Sequence, residues 1–221
     1  MATIEIFPRV IGKYTLEKEK HLQLKEQCFS LLKDIENDES VLKRNAQNSK
    51  LNHYLNRENQ NLLDYANFDW FEKWIEEKCS DYIENVLGYY LEDGVIITDC
   101  WLNKCDAGGE QFHHTHVNAY VSGTYYVNYI KGLHAPIGFK NKDFNPENSI
   151  MQSMDIPVNF PTKYNSWGAF VNYEEGDLLL WQSNIAHGYT DNKEDNRISI
   201  SFNVMPRYIH NQSYSFRIER Q

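Results

Sequence analysis

The chain has 221 residues, of which 41% are apolar and 14% aromatic, so it can bury a hydrophobic core. Its formal net charge of −9 argues against a broad grip on phosphate backbones, which makes nucleic acid a less favoured partner. No run approaches the roughly 18 apolar residues of a membrane span, and the first ten residues lack a secretory pattern. Four cysteines without a framework spacing are typical of a reducing compartment, so we expect a cytoplasmic protein that does not engage membranes.

Helical patterns dominate the first ninety residues. Apolar side chains recur at helical spacing over 15–38 and again over 69–91. Asp69 is predicted to cap the second helix at its start, and Gly88 to stop it. The polar segment between the two helices, 44–61, is predicted to be a loop with at most a short helix.

The pattern changes to β-structure after about residue 90. Short runs rich in β-branched and aromatic residues are separated by Gly, Pro, Asn and Asp. These runs cover 94–105, 119–130, 167–173, 176–182 and 197–207. Because no helical pattern lies between them, they predict an antiparallel sandwich or barrel.

A long segment, 131–166, interrupts the predicted strands. It carries four prolines and is a candidate substrate-covering loop. Its aromatic residues, Phe139, Phe144, Phe160 and Tyr164, are candidate apolar contacts to a substrate.

The last predicted strand, RISISFNV, is amphipathic. Its apolar residues, which begin at Ile198, share one face, and its polar residues, which begin at Arg197, share the other. The N-terminal helices need a β surface on which to bury their apolar stripes, so we expect the apolar face under them. The polar face then points into the barrel, where Arg197 needs an anionic partner or solvent.

Histidines cluster in FHHTHVN, which has three of them in four positions although the chain has eight in all. In an extended chain, His114 and His116 point the same way and His113 points away. Such a pair can offer two imidazoles to one metal, but surface or core histidines are the commoner interpretation of the pattern alone. A third candidate ligand, His187, follows an apolar strand, and Arg197 lies ten residues later.

The combination of these motifs resembles the iron(II)/2-oxoglutarate-dependent oxygenases. The segment HTHVNAYVSGTYY, which begins at His114, is similar to the H-x-H…S-G branch of that superfamily. The later segment begins with GDL at Gly176 and continues through His187 to Arg197-Ile-Ser199. The resemblance covers roughly residues 95–206, with a looser likeness before them.

The resemblance implies a double-stranded β-helix (jelly-roll) core with Fe(II), 2-oxoglutarate and O2 as cofactor and cosubstrates. It makes His114, His116 and His187 the iron ligands. Arg197 and Ser199 would bind the distal carboxylate of 2-oxoglutarate, a role that suits a planar guanidinium. Asn103 and Tyr126 are further candidates for contact with the cosubstrate.

This chain departs from the common pattern at position 116. The usual triad has two histidines and one carboxylate, whereas three neutral imidazoles leave the site one negative charge short. Three-histidine sites also suit zinc and copper, so the identity of the metal stays open. Because histidine fills the room that a halide would need, we disfavour halogenation; Asp106 and Glu110 do not stand at ligand spacing.

Simpler interpretations apply to other residues. His113 is expected to face outward, and His21, His53, His134 and His210 are expected at the surface. Cys100 and Cys105 are separated by an odd spacing, which opposes a shared zinc site. Asp177 is expected to be a turn residue after Gly176, and one of Tyr125 and Tyr126 is expected to be core.

The sequence thus predicts one domain over 1–221, with a helical layer over about 10–90 and a jelly roll over about 91–221. The predicted activity is hydroxylation of an unidentified small molecule or peptide side chain with formation of succinate and CO2. Two alternatives stay open: a three-histidine dioxygenase without 2-oxoglutarate, similar to the cupin thiol dioxygenases, and a non-catalytic jelly-roll module that binds a metal. A homodimer is also left open.

Overall fold

The computed structural model of the chain describes residues 8–37, 46–48, 50–55, 61–65, 67–141 and 168–220, with positions 4, 159, 160, 162, 163 and 166. None of the helices in these ranges is long and apolar enough to cross a membrane.

The two predicted helices are present. Helix α1 spans Lys18–Glu36, and helix α2 spans Asp69–Asp81 and continues as a π-helical turn over Tyr82–Val86. The predicted cap is wrong by one position, because Phe68 occupies the N-cap and Asp69 lies in the first turn. There its carboxylate faces the positive end of the helix dipole. Gly88 has a φ of 76°, which suits the predicted stop.

Strands make up the rest of the regular structure. In chain order they are β1 Gly12–Thr15, β2 Ala46–Asn48, β3 Leu51–Tyr54, β4 Val95–Cys105, β5 Gln111–His114, β6 Val121–Asn128, β7 Gly138–Lys140, β8 Gly168–Phe170, β9 Asp177–Gln182, β10 Ala186–Tyr189, β11 Arg197–Pro206, β12 Tyr208–His210 and β13 Ser215–Arg217.

All the described strand pairs are antiparallel. A seven-stranded major sheet has the order β1-β9-β6-β11-β4-β3-β2, and a four-stranded minor sheet has the order β5-β10-β7-β8. Strands β12 and β13 form a separate hairpin. Two antiparallel sheets with this interleaved strand order form the predicted jelly roll.

The helices pack on the outer face of the major sheet. The apolar residues of β11, from Ile198 to Val204, belong to one core cluster with Leu24 of α1 and Ile75 of α2. Burial of both helical stripes against this face is therefore as predicted. A second core cluster, which includes Tyr126 and Trp181, lies on the other face of the major sheet.

The predicted loop over 44–61 is wrong, because it contains β2 and β3. Strand β3 pairs with β4, with His53 opposite Asn103 and Tyr54 opposite Leu102. This pairing depends on a partner fifty residues away, so the local polar composition does not reveal it.

Three of the four histidines expected at the surface are buried. His21 contacts the Tyr125 hydroxyl at 2.8 Å, His53 lies 2.5 Å from Asn103 Oδ1, and His134 is 1% exposed. Each imidazole has hydrogen-bonding partners distant in sequence, which offset the cost of burying a polar ring. Only His210 of the four is exposed.

The segment 131–166 lies partly outside the described residues, including Phe144 and Tyr164. Within it, Phe139 of β7 is buried against Trp181, with ring centroids 5.3 Å apart. Phe160 is 63% exposed.

Candidate metal and cosubstrate site

Strand pairing brings the histidines together. His114 at the end of β5 is the direct cross-strand partner of His187 in β10. His116 lies two residues beyond β5, where its backbone N–H donates to the Ser183 carbonyl at 3.1 Å. One short antiparallel pair and one loop contact thus position all three side chains.

The three imidazoles converge on one point. Their ring centroids are 4.5 to 5.1 Å apart, and one nitrogen from each lies within 4.8 Å of the others. His116 Nε2 and His187 Nε2 are 3.2 Å apart, close enough to share one cation. Two nitrogens about 2.1 Å from one ion lie about 3.0 Å apart at a right angle and about 3.4 Å apart at a tetrahedral angle, so the spacing suits a metal without choosing its geometry.

Backbone carbonyls orient two of the rings. His114 Nδ1 lies 2.8 Å from the Phe112 carbonyl, and His187 Nδ1 lies 3.0 Å from the Ile185 carbonyl. Nδ1–H must be the donor in each pair, which leaves the Nε2 lone pair free. This second contact is typical of metal-ligating histidine, because it selects the tautomer and the ring direction.

Burial also selects the neutral form of the rings. It lowers the pKa of His116 to about 4 and that of His187 to about 3. His114 adds to both effects, whereas Asp99 partly opposes the shift at His116. Neutral imidazoles are the form that binds a metal, so the site is ready for one near pH 7.

His113 does not join the cluster. Its side chain is exposed, as predicted from the alternation of the strand. Cys100 and Cys105 do not join it either: both thiols are free and buried, and they lie in different core clusters.

The cluster opens into a narrow recess between the two sheets. The predicted site residues all line this recess, together with aromatic and small polar side chains. The lining comprises Trp101, Asn103, Gln111, His114, His116, Gly123, Thr124, Tyr126, Ile137, Trp181, His187, Gly188, Tyr189, Arg197, Ser199 and Ser201.

Arg197 is the cation of this recess and is 2% exposed. Its Nε–H donates to the Ala135 carbonyl at 3.0 Å, and its guanidinium carbon lies 4.0 Å from the Tyr189 ring centroid. Within the described part of the chain, no carboxylate pairs with it. A buried guanidinium without an anion is costly, so the arrangement suits an anionic ligand.

Asn103 already has protein partners. Its Oδ1 accepts from Trp101 Nε1 at 2.9 Å, and its Nδ2 donates to Ser199 Oγ at 3.3 Å and Ser201 Oγ at 2.9 Å. The structure therefore gives Asn103 a positioning role behind Ser199 and Trp101. Its direct contact with a cosubstrate stays a prediction.

The two adjacent tyrosines have separate environments. Tyr125 packs in the core beneath the helices, whereas Tyr126 lines the recess. The hydroxyl of Tyr126 is buried without a hydrogen-bond partner, as are Tyr189 Oη and Trp181 Nε1. Three unsatisfied polar atoms around one recess indicate a missing polar ligand.

The sequence interpretation missed Tyr189, Trp181 and Trp101. Tyr189 follows His187 by two residues on the same strand, a spacing that places both side chains on one face. That signal was available. Trp101 stacks on His116 with ring centroids 5.9 Å apart, and no local pattern reveals that contact.

Asp177 is buried at the start of β9, where it accepts from Thr15 Oγ1 at 2.5 Å and from the Glu174 N–H at 2.9 Å. It therefore stabilises the turn that Gly176 forms with a φ of 88°.

Solved structures of low sequence identity share this fold. A Pseudomonas putida prolyl-4-hydroxylase superposes with a TM-score of 0.54 at 12% identity and covers 88% of this chain and 92% of its own. The alpha-ketoglutarate-dependent epimerase SnoN from nogalamycin biosynthesis superposes with a TM-score of 0.58 at 9% identity. The match covers 90% of this chain and 79% of SnoN. HygX from Streptomyces hygroscopicus, with nickel, 2-oxoglutarate and hygromycin B bound, superposes with a TM-score of 0.51 at 10% identity. The match covers 90% of this chain and 83% of HygX.

The sequence itself carries the family signal. A search among curated proteins finds no match. Residues 99–203 match the family described as "Putative 2OG-Fe(II) oxygenase". The match covers 105 of the 221 residues and includes the three histidines, Arg197 and Ser199. The fold is the double-stranded β-helix that these solved structures share.

Proposed function

We propose that the protein is an iron(II)/2-oxoglutarate-dependent dioxygenase that hydroxylates an unidentified substrate, with formation of succinate and CO2. One observation carries the proposal: three converging imidazoles share a recess with a buried arginine that has no described anionic partner.

In this proposal His114, His116 and His187 hold the metal. Their donor set fits a first-row divalent ion, because the lowered pKa keeps His116 and His187 neutral and backbone carbonyls orient the Nε2 atoms of His114 and His187. When bound, the iron supplies the oxygen-activating chemistry that couples decarboxylation of 2-oxoglutarate to oxidation of a C–H bond.

Arg197 and Ser199 would bind the distal carboxylate of 2-oxoglutarate. Tyr126 and Tyr189 line the same recess, and their hydroxyls are candidate donors to the same ligand. Burial of Arg197 excludes water, which strengthens its attraction for a carboxylate. Trp101 and Trp181 flank the imidazoles and restrict how a substrate approaches.

The proposed metal site has three histidine ligands and no carboxylate ligand, which affects its net charge. Fe(II) and the Arg197 guanidinium carry three positive charges, of which a dianionic 2-oxoglutarate would neutralise two, whereas a carboxylate in place of one imidazole would neutralise the third. We therefore expect iron and 2-oxoglutarate to bind cooperatively.

The proposal is tested by turnover without a substrate. Protein reconstituted with Fe(II) should convert 2-oxoglutarate to succinate in an O2-dependent manner, and Arg197→Met should abolish this conversion. His113→Ala, which leaves the cluster intact, is the matched control. Oxygen consumption that does not depend on 2-oxoglutarate would instead support the three-histidine alternative, and no turnover with a bound metal would support the non-catalytic module.

We also propose a cytoplasmic location. All four cysteines are free, which is the expected state in a reducing compartment.

The sequence favours a small molecule or a peptide side chain over nucleic acid as the substrate, because the net charge is −9.

A further inference from the structure

The polar inner face of the major sheet ends in a carboxylate. Strands β4 and β11 place Trp101 opposite Ser201 and Asp99 opposite Asn203. Because Asp99 and Trp101 are two residues apart on one strand, they share the inner face of the sheet. Asp99 is exposed at the end of this face, beyond the buried recess.

Asp99 and Arg197 lie far apart along the inner face of the major sheet. Trp101, two residues from Asp99, stacks on His116, and Trp181, in the same cross-strand row as Asp99, lies 4.6 Å from His187 between ring centroids. Arg197 lies six residues along β11 from Asn203, the cross-strand partner of Asp99, so at about 3.3 Å per residue it is about 20 Å from the Asp99 row. The inner face of the sheet thus has a buried cation at one end and an exposed anion towards the other.

A chain of hydrogen bonds holds the open end in place. Asn203 Nδ2 donates to Asp99 Oδ2 at 3.3 Å, and Ser122 Oγ donates to Asn203 Oδ1 at 3.1 Å. Ser122 Oγ also contacts Ser183 Oγ at 2.8 Å, and the Ser183 carbonyl accepts from the His116 N–H. The carboxylate is therefore linked to the loop that carries a metal-binding imidazole.

The charge of Asp99 has no cationic partner among the described residues. Its hydrogen-bond donors, the Asn203 amide and the Thr98 hydroxyl at 2.9 Å, are neutral. Neutral donors orient the carboxylate without cancelling its charge. An oriented and unpaired carboxylate that is exposed near the imidazoles attracts a cation and repels an anion.

We propose that Asp99 orients the substrate, and that the substrate carries an ammonium or guanidinium group that pairs with this carboxylate. This inference rests on the proposed function. It assigns a different ligand to each charged residue. The cosubstrate carboxylate binds Arg197, and the cation of the substrate binds Asp99.

Binding of small amines tests the assignment without turnover. Protein loaded with Zn²⁺ and N-oxalylglycine is titrated with primary amines, guanidines, lysine peptides and arginine peptides. Each probe is paired with its alcohol or N-acetylated counterpart. We expect some cationic probes to bind at least about tenfold tighter than their neutral counterparts, and Asp99→Asn to remove most of that difference. Asp34→Asn, on the exposed face of α1, is the matched control and should retain it.

The same probes are then tested for stimulation of succinate formation. Equal binding of cationic and neutral probes, binding of no cationic probe, or an unchanged preference in Asp99→Asn overturns the assignment. Absence of succinate without any probe contradicts the proposed function, whereas succinate formation that no cation increases contradicts the role of Asp99 alone.

Discussion

His114 and His187 are directly paired residues on adjacent antiparallel strands, with ring centroids 4.5 Å apart. A cross-strand pair in this register points both side chains to the same face of the minor sheet, so the backbone itself aligns two imidazoles. The third, His116, depends on a loop, which makes it the most adaptable member of the cluster.

Loss of either paired histidine should remove the metal. His114→Ala and His187→Ala are each expected to weaken iron binding by more than about 100-fold, because even outer partners of metal ligands contribute about 10- to 100-fold. Iron content after gel filtration and turnover of 2-oxoglutarate measure the effect. His113→Ala, exposed and outside the cluster, should keep both values near those of the wild type. Equal losses in all three variants would contradict the assignment.

The amphipathic strand shows what the sequence could predict. The alternation in RISISFNV correctly assigned Ile198 to the core beneath the helices and Arg197 to the interior of the barrel. Both assignments follow from a period of two residues and from the need of the helices for an apolar surface. Local patterns also predicted the main strands and both helices.

Contacts between distant residues account for most of what the sequence did not predict. His21 seemed a surface residue on a helix, yet Tyr125 and Glu175 satisfy its ring in the interior. His53 is buried for the same reason, since Asn103 lies opposite it on β4. A buried histidine cannot be told from an exposed one until its partners are known. The division into a single domain, and the roles of the site residues, stay predictions.

His116→Asp is expected to keep the metal. The substitution restores the two-histidine, one-carboxylate triad that is commonest for non-haem Fe(II), and it supplies the missing negative charge. We expect iron content at least equal to that of the wild type and a smaller dependence of iron binding on 2-oxoglutarate. Anaerobic titration with Fe(II), with and without 2-oxoglutarate, measures both. Loss of iron would show that the Trp101 face and the His187 ring require an imidazole at this position.

Arg197→Met should weaken 2-oxoglutarate binding without lowering the stability of the protein. Loss of a buried cation that pairs with a ligand carboxylate is expected to weaken 2-oxoglutarate binding by about 30-fold or more, which corresponds to about 2 kcal/mol or more. The ligand-free protein should unfold with an unchanged or higher free energy, because the variant no longer buries an unpaired charge. Urea unfolding and 2-oxoglutarate titration give the two values.

Arg217→Met is the control for that substitution. Arg217 pairs with Asp93 at 2.9 Å on the surface, with 57% of its side chain exposed. It should leave 2-oxoglutarate binding unchanged and alter stability by less than about 1 kcal/mol. If Arg197→Met binds 2-oxoglutarate with normal affinity, Arg197 does not bind the cosubstrate carboxylate as proposed.

Gly123 of the S-G pair should not tolerate a side chain. A Cβ at this position would clash with the Phe202 ring and lie 2.7 Å from Leu180 Cδ2. Because both neighbours are buried on the helix side of the major sheet, we expect Gly123→Ala to lower the free energy of unfolding by about 1–3 kcal/mol. Phe202→Leu should cost less in the Gly123→Ala background than in the wild type, as a double-mutant cycle in urea would show. Simple additivity would exclude the clash.

Glu175 should make stability depend on pH. Burial raises the pKa of this carboxyl, but hydrogen bonds from Lys25, His21 and the Tyr129 N–H outweigh that effect and lower it overall. The unfolded state therefore binds its proton more tightly, so the contribution is complete above the usual carboxyl pKa and is lost as pH falls through the lower folded value.

Glu175→Gln is accordingly expected to be less stable than the wild type near pH 7, and the gap should narrow as the solution is acidified below about pH 4. Glu174→Gln, whose carboxylate is 73% exposed, is the neighbouring control and should change little at either pH. Unfolding in urea at several pH values measures the gap. A gap that stays constant from pH 7 to the acid limit of folding would mean that Glu175 acts through packing and hydrogen-bond geometry rather than through its charge.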